Sequence, residues 1–167
     1  MRKTVLILSF TAVAGLVAAS PVQASRCATV QFSGSTQQPA ANLPFIGSME
    51  VVDLESGDMS SASVVTMLLG AVSADGLEIV TSHEIEGDGA PGFEFVTFDD
   101  ARLVPTATPG TFSLISHMEI RKGMGAYNCG ELVIDGQQST VSFDTTGLGS
   151  ASYAGFGRLC RCKPADN

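Results

Sequence analysis

The side chains best suited to acid–base chemistry are two histidines and the acidic residues near them. His83 is followed directly by Glu84, and His117 is followed two positions later by Glu119. An imidazole titrates near neutral pH, and with a neighbouring carboxylate it can transfer protons or bind a metal ion. If both strands line one cavity, His83 and His117 could act together with Glu119 or Glu84 as acid and base or as metal ligands. For an enzyme that uses the cavity of the folded domain, the catalytic candidates are His83, Glu84 and Glu94.

The side of its strand on which each histidine falls argues against a site shared by His83 and His117. Apolar and polar residues alternate from Leu77 to Glu86, and His83 falls on the apolar side. The segment 111–121 alternates in the same way, but His117 shares the polar side with Glu119. The pattern favours one partly buried, hydrogen-bonded histidine and one surface histidine.

Three further segments resemble binding loops but lack essential parts. Residues 84–88 carry carboxylates at alternate positions before a glycine, as in a calcium loop, but Phe95 occupies the position of the bidentate glutamate. The glycine-rich segments 123–127 and 147–153 precede no predicted helix and lack the Lys-Ser/Thr pair of phosphate loops. We therefore expect a solvated turn, backbone bulges and tight corners at these places, and no metal or cofactor.

Four cysteines, an even number, point to disulfides in an exported protein. Cys160 and Cys162 are too close in sequence to bridge each other without a strained ring. We expect Cys27 and Cys129 to be tied separately to this C-terminal pair, in either of the two possible arrangements. The CxxC spacing of zinc sites is missing, which disfavours a metal–thiolate site.

The first 24 residues have the composition of a secretory signal peptide. A short basic start precedes an apolar stretch from Val5 to Ala19, and Ala24 ends a tripeptide suited to signal peptidase. A retained membrane anchor is the alternative, but serine, threonine, glycine and proline interrupt the apolar stretch. We expect residues 1–24 to be removed, and residues 25–167 to fold as a single domain in the periplasm or the extracellular medium.

The chain is acidic, with nine Lys and Arg against 17 Asp and Glu and a formal net charge of −8. Loss of the signal peptide removes two of the basic residues and leaves a net charge of −10. Nucleic acids and anionic membrane surfaces select clustered basic residues, so both are poor partners for this chain. We expect no nucleic-acid binding, and no membrane association after cleavage.

Short strand-like segments separated by Gly, Pro, Asp and Ser dominate the rest of the chain. They indicate an all-β domain, in which a closed antiparallel barrel of about eight strands is favoured over a β-sandwich because closure removes exposed edges. Asp75-Gly76 and Asp135-Gly136 are the strongest hairpin signals, and residues 35–42 are typical of a loop or lid. The predicted strands are Cys27–Phe32, Ile46–Leu54, Ala62–Leu69, Leu77–Glu86, Phe93–Phe98, Thr111–Arg121, Glu131–Asp135, Thr140–Asp144 and Ser152–Cys162.

Two stretches carry a family resemblance, which spans about residues 77–132. They are Phe98-Asp-Asp-Ala-Arg-Leu-Val-Pro-Thr-Ala-Thr-Pro-Gly-Thr-Phe112 and Ile120-Arg-Lys-Gly-Met-Gly-Ala-Tyr127. They are similar to a D-x-A-x-L-x-P-T-x-x-P-G-x-[YF] stretch and a G-T-G-x-[FY]-x-G turn in small exported bacterial proteins. That group resembles the allene oxide cyclase-like β-barrels, which are related in shape to lipocalins. Two positions depart from the pattern, since Met124 replaces the usual threonine and Cys129 the final glycine.

The resemblance implies an eight-stranded barrel with an apolar interior. It does not imply cyclase chemistry, because none of the catalytic positions of the plant enzymes can be matched in this chain, and a shared fold is not a shared function. The fold expectation agrees with the strand pattern, and the activity remains open.

These observations favour a non-enzymatic exported barrel that binds a small apolar ligand or serves as a structural or interaction module. An eight-stranded barrel has room for side chains or for one small ligand. One alternative is an isomerase or cyclase-like enzyme that uses His83, Glu84 or Glu94 on a lipid-derived substrate. Another is a secreted inhibitor or surface-interaction protein. The residues expected to line the ligand cavity are Phe93, Phe95, Phe112, Met118 and Ile120.

Overall fold

The computed structural model describes residues 27–88 and 92–162, which form an all-β domain. The predicted signal peptide lies outside these residues. Among the described residues, no helix has the length and hydropathy needed to cross a membrane. Each of the nine predicted strands is present, most of them with longer bounds than the sequence indicates. The strands are β1 (Cys27–Gln37), β2 (Phe45–Asp53), β3 (Met59–Ala71), β4 (Glu78–Gly87), β5 (Phe93–Pro105), β6 (Thr111–Gly125), β7 (Cys129–Ile134), β8 (Thr140–Phe143) and β9 (Gly149–Cys160).

The strands close into an antiparallel barrel with eight positions, as the sequence predicts. Each strand pairs with the next from β1 to β6, and β9 pairs with β1 to complete the ring. The seventh position is shared, since β7 pairs with residues 116–119 of β6 and β8 pairs with residues 111–113. β9 runs past both short strands. Closure therefore gives the long strands partners on both sides.

The interruption between β7 and β8 shows that one hairpin prediction is wrong. Asp135-Gly136 does not reverse the chain, because β7 and β8 run in the same direction beside β6. The hydroxyl of Ser139 links the segment between β7 and β8 to β9. It donates to the Ala154 carbonyl at 3.1 Å and accepts from the Ala154 N–H at 3.0 Å. A Cβ at Gly136 would collide with the Ile115 side chain, so glycine is needed here for space.

β5 shows how the barrel sorts its side chains. Burial alternates from Phe93 to Leu103, with the odd-numbered residues inside. The strand was predicted to end at Phe98, but Phe98 lies on the outer face and the alternation continues beyond it. Asp99 and Ala101 consequently reach the interior. The other hairpin signal, Asp75-Gly76, is confirmed in the turn between β3 and β4, where Gly76 has a φ of 72°.

Side chains fill one half of the barrel, which we call the closed end. Phe93 stacks on Phe95 with ring centroids 5.5 Å apart, and Tyr127 contacts Phe93 at 5.6 Å. Gly125 has a φ of 82° and lets β6 pass close to the Gly92 carbonyl, where a side chain would collide. The other buried inward residues of this end include Val30, Phe32, Val64, Ile120, Leu132 and Leu159. Burial of these apolar side chains is the main stabilising contribution here.

Two disulfides join the strands at the closed end. Cys160 of β9 stands opposite both Cys27 of β1 and Cys129 of β7. It bonds Cys27, and Cys162 bonds Cys129, across sequence separations of 133 and 33 residues. The prediction that Cys27 and Cys129 are tied separately to the C-terminal pair is confirmed. The bond from Cys27 to Cys160 crosses the seam where the first and last strands complete the ring.

Candidate functional site

The half of the barrel opposite the disulfides holds a cavity of about 600 Å³. Its wall is mainly apolar and is contributed by strands around the whole ring. Apolar side chains of this wall include Met49, Ile79, Leu103, Leu114, Met118 and Val141. A volume of this size and lining is typical of sites for small organic ligands.

The cavity opens between loops at this end of the barrel, which we call the open end. The segment 38–44 between β1 and β2 borders the mouth. The sequence predicts a loop or lid over residues 35–42, but residues 35–37 pair on both sides as part of β1, so the connection begins at Gln38. Leu43, Leu68 and Leu69 line the mouth and are each about half exposed. Phe143 of β8 completes the apolar border. An apolar ligand entering the cavity would therefore meet apolar side chains first.

Five polar side chains meet inside the cavity and form what we call the polar cluster. They come from four neighbouring strands, β3 to β6, and each takes an inward position of its strand. Thr66 stands opposite His83, and Thr81 stands opposite Asp99, so the register alone places these residues side by side. The members of the cluster are Thr66, Thr81, His83, Asp99 and Ser116.

Hydrogen bonds connect the whole cluster. Thr81 Oγ1 donates to Asp99 Oδ2 at 2.8 Å, and Ser116 Oγ donates to the same oxygen. His83 Nε2 lies 3.1 Å from Asp99 Oδ1 and 3.3 Å from Thr81 Oγ1. On the other side of the ring, Nδ1 lies 2.8 Å from Thr66 Oγ1. The result is a continuous chain from the Thr66 hydroxyl through the imidazole to a buried carboxylate.

These contacts determine where the proton of a neutral His83 ring resides. The single hydroxyl proton of Thr81 is directed to Asp99, so toward His83 Nε2 this hydroxyl can only accept. Nε2 therefore carries the proton, and Nδ1 accepts from the Thr66 hydroxyl. The ring is held in one tautomer by partners on both sides.

Asp99 is the most deeply buried charged group of the cluster, with 5% of its surface exposed. Its Oδ2 accepts two hydrogen bonds, whereas Oδ1 has no hydrogen-bond partner of ordinary geometry among the described residues. Oδ1 is within ion-pair distance of His83 Nε2, but that contact does not meet hydrogen-bond geometry. Because a buried carboxylate is costly without partners, a protein retains one mainly where it serves a purpose.

A further hydroxyl faces the cavity from the opposite wall. Tyr153 lies on β9, and burial raises the pKa of its phenol, which keeps it neutral at physiological pH. Its hydroxyl is directed to the Ser48 carbonyl across a long distance of 3.5 Å. Tyr153 is therefore a neutral donor that is separate from the polar cluster.

The three catalytic candidates are not brought together. His83 lies inside the barrel and lines the cavity, as its phase in the sequence indicates. Glu84 and Glu94 point outward and are exposed. His117 also lies on the outer face, where its Nε2 is 2.9 Å from Glu131 Oε2. Of the predicted acid–base groups, only His83 can act on a molecule in the cavity.

The residues expected to line the cavity are also divided. Met118 does line it. Phe93, Phe95 and Ile120 pack inside the closed end instead, so they do not contribute to the cavity wall. Phe112 is half-buried and packs edge-on against Phe143, with ring centroids 6.1 Å apart. The expected aromatic residues Phe93 and Phe95 thus fill the closed end, whereas the aromatic residues that line the cavity are Phe45, Phe143 and Tyr153.

Sequence reasoning missed Thr66, Thr81, Asp99 and Ser116. The sequence contains a signal for Asp99, since this residue continues the inward phase of Phe93 and Phe95. The predicted strand Phe93–Phe98 stops just before Asp99, whereas β5 continues to Pro105. The three hydroxyl residues are polar positions on the inward faces of otherwise apolar strands. Their meeting point depends on the register between strands, which a single strand pattern does not contain.

The cluster can move a proton or bind a polar group, because its imidazole is oriented and backed by a carboxylate. Within residues 27–88 and 92–162, no group of three or more His, Cys, Asp or Glu side chains is arranged to hold a metal ion. No protein-family model, curated protein or solved structure matches this chain. The site is therefore interpreted from its own geometry.

Proposed function

We propose that this protein is an exported binding protein for a small, mostly apolar ligand that carries one polar group. The observation that carries the proposal is the cavity at the open end, which is mainly apolar along its wall and mouth and contains the polar cluster. Natural ligand sites combine an apolar lining with a few placed polar groups in this way. The ligand's chain would contact the wall, and its polar group would lie at the cluster.

Further observations support export and a barrel with room for a ligand. The chain begins with a signal-like segment, and its disulfides suit an oxidising compartment such as the periplasm or the extracellular medium. The motif resemblance to the allene oxide cyclase-like barrels adds an expectation of the same barrel with an apolar interior. The negative charge of the chain is consistent with a freely diffusing protein that does not bind nucleic acid or anionic membranes.

A cavity-filling variant tests the proposal. Ala101 lines the cavity on β5, so Ala101→Phe should occupy ligand space, whereas Val104→Phe adds a ring to the exposed outer face of the same strand. We expect the disulfide-bonded protein to bind the neutral fluorescent probe N-phenyl-1-naphthylamine. Ala101→Phe should weaken that binding by about tenfold or more, and Val104→Phe should leave it unchanged. Equal binding by both variants would show that the probe binds elsewhere.

A second function is favoured by one specific observation, the oriented imidazole beside the cavity. With Nε2 facing Asp99 and Nδ1 accepting from Thr66, His83 could give acid–base assistance to the isomerisation or cyclisation of a lipid-derived substrate through the Thr66 hydroxyl, which would accept a substrate proton as it passes its own to Nδ1. An epoxide of an unsaturated fatty acid is a suitable probe. Chiral chromatography of its products should show an excess of one enantiomer with the protein and none with His83→Asn. Identical product mixtures would leave ligand binding as the function.

A further inference from the structure

The polar cluster does not offer hydrogen-bond donors and acceptors equally to a ligand. With a neutral imidazole, the protons of Thr81 and Ser116 are both directed to Asp99 Oδ2. The proton of Thr66 is directed to His83 Nδ1, and the ring proton on Nε2 faces Thr81 and Asp99. Every donor of the cluster is thus used inside the cluster.

What the cluster has left to offer is acceptors. The hydroxyl oxygens of Thr66 and Ser116, which line the cavity, keep lone pairs, whereas Oδ1 of Asp99 has no hydrogen-bond partner among the described residues but is itself enclosed. The carboxylate also makes this part of the cavity negative. A ligand group that accepts hydrogen bonds finds no donor here, and a ligand group that is negatively charged is repelled by Asp99.

From these free acceptors we infer the class of ligand. It is a mostly apolar molecule with a hydroxyl group at the end that lies at the polar cluster, rather than a carboxylic acid or an ester. The inference rests on the proposed binding function and specifies its ligand. A hydroxyl can donate to Thr66 or Ser116, while its alkyl part contacts the apolar wall. A site with buried unpaired acceptors discriminates strongly against analogues that lack the donor.

Tyr153 does not reverse this preference. It is a donor, but it lies on β9, across the barrel from β4 and β5, and its hydroxyl is directed to the Ser48 carbonyl. A ligand whose polar group lies at the cluster has its alkyl part, not its head, on that side. Tyr153→Phe is therefore a matched control in which a cavity hydroxyl is removed outside the cluster.

Three ligands with the same chain and different heads test the inference: decanol, decanoate and methyl decanoate. Each is used to displace N-phenyl-1-naphthylamine from the disulfide-bonded protein at pH 8, where imidazole side chains are ordinarily neutral. We expect decanol to bind about tenfold or more tightly than decanoate, and also more tightly than the ester. Decanoate or ester binding as tight as decanol binding would overturn the inference.

The variant Asp99→Asn keeps the shape of the side chain, removes its charge and adds an N–H₂ donor. We expect the preference for decanol over decanoate to fall to about twofold or less, because decanoate is no longer repelled by the charge of Asp99. Tyr153→Phe should keep the wild-type preference. An unchanged preference in Asp99→Asn would contradict the assignment, and so would a lost preference in Tyr153→Phe.

Failure of the inference is distinguishable from failure of the proposed function. If the probe binds in the cavity and the head groups are not discriminated, the binding function stands and the ligand class is wrong. If the probe does not bind the wild-type protein at all, the binding function itself is refuted. Should Asp99→Asn not fold, the comparison of the three ligands on the wild-type protein decides the question without it.

Discussion

The two ends of this barrel are built from the same strands but differ in what the inward positions carry. At the closed end those positions hold large apolar side chains such as Phe93 and Phe95, with disulfides across the strands. At the open end they hold a mixture of smaller apolar residues, hydroxyls and the pair His83 and Asp99. The strand scaffold is thus continuous, and the choice of inward residue decides whether a given level of the barrel is core or cavity.

This division separates stability from function within one small domain. Polar groups and empty volume weaken a core, so they are tolerated at the open end because the closed end stabilises the ring. The cluster at the open end can then be arranged for a ligand. Substitutions at the closed end should therefore affect stability, and substitutions at the open end should affect binding more than stability.

The largest expected effect comes from the seam of the barrel. Cys27→Ser together with Cys160→Ser removes the bond that closes a 133-residue separation. The chain-entropy model gives a loss of about 4–5 kcal/mol, compared with about 3–4 kcal/mol for Cys129→Ser with Cys162→Ser. Urea unfolding of both double variants measures the difference. A larger loss from the second pair would show that the seam is not the main constraint.

A smaller effect should distinguish the two ends directly through matched leucine truncations. Leu132 is completely buried at the closed end, whereas Leu103 faces the cavity. Leu132→Ala should cost about 3–5 kcal/mol because it leaves a void among packed neighbours, and Leu103→Ala should cost about 2 kcal/mol because part of its surroundings is already empty. Denaturant unfolding provides both values. Equal costs would mean that the cavity wall is packed as tightly as the core.

Replacing two buried threonines by valine should change the stability of the protein in opposite directions. The Thr97 hydroxyl is buried without a hydrogen-bond partner in the described part of the chain, and the Thr81 hydroxyl donates to Asp99. Thr97→Val should stabilise the protein by about 1 kcal/mol, because an unpaired polar group is replaced by a methyl group of the same shape. Thr81→Val should destabilise it by about 1–3 kcal/mol, because Asp99 loses a donor. Thermal unfolding of the two variants checks the signs, and the same sign for both would refute this reading of the cluster.

The smallest effect concerns the turn after β8 at the cavity mouth. The Asp144 carboxylate accepts from the Thr146 hydroxyl at 2.6 Å and from the Leu148 N–H at 3.0 Å, and these hydrogen bonds hold the pKa of Asp144 below its usual range. The ionised form therefore stabilises the turn above the unfolded pKa of about 3.9, and this contribution is lost as the pH falls through the lower folded pKa.

Hydrogen exchange can follow this turn. The protection factor of the Leu148 amide should fall below about pH 4 in the wild-type protein. In Asp144→Asn the same amide should show no change of protection in that range, since the titrating group is gone. A fall of equal size in the variant would assign the pH dependence to another carboxylate.

Much of the fold was predictable because its signals are local. Alternation and turn residues are read within a few positions, so all nine strands were found, and the even number of cysteines with the short spacing of Cys160 and Cys162 led to the correct expectation for Cys27 and Cys129. The shared seventh position was not predictable in this way. Asp135-Gly136 has the local chemistry of a hairpin, and only its packing between β6 and β9 keeps the chain running in one direction.

The site was less predictable than the fold, for a related reason. The phase of His83 was correct, since phase is a local property. Whether Phe95 fills the barrel or lines a cavity depends on its level along the barrel axis, which is set by strand register. The cluster around Asp99 depends on three registers at once, those between β3 and β4, β4 and β5, and β5 and β6. Sequence patterns therefore identified which residues face inward and not which of them meet.

Methionine-methyl NMR during a decanol titration is the most direct test of the central claim, that the open end binds a ligand and the closed end does not. Met49 and Met118 line the cavity, whereas Met59 and Met124 are exposed at the closed end. Decanol should shift the methyl signals of Met49 and Met118 in a saturable way and leave those of Met59 and Met124 in place. Saturable shifts at Met59 or Met124, with Met49 and Met118 unchanged, would contradict it.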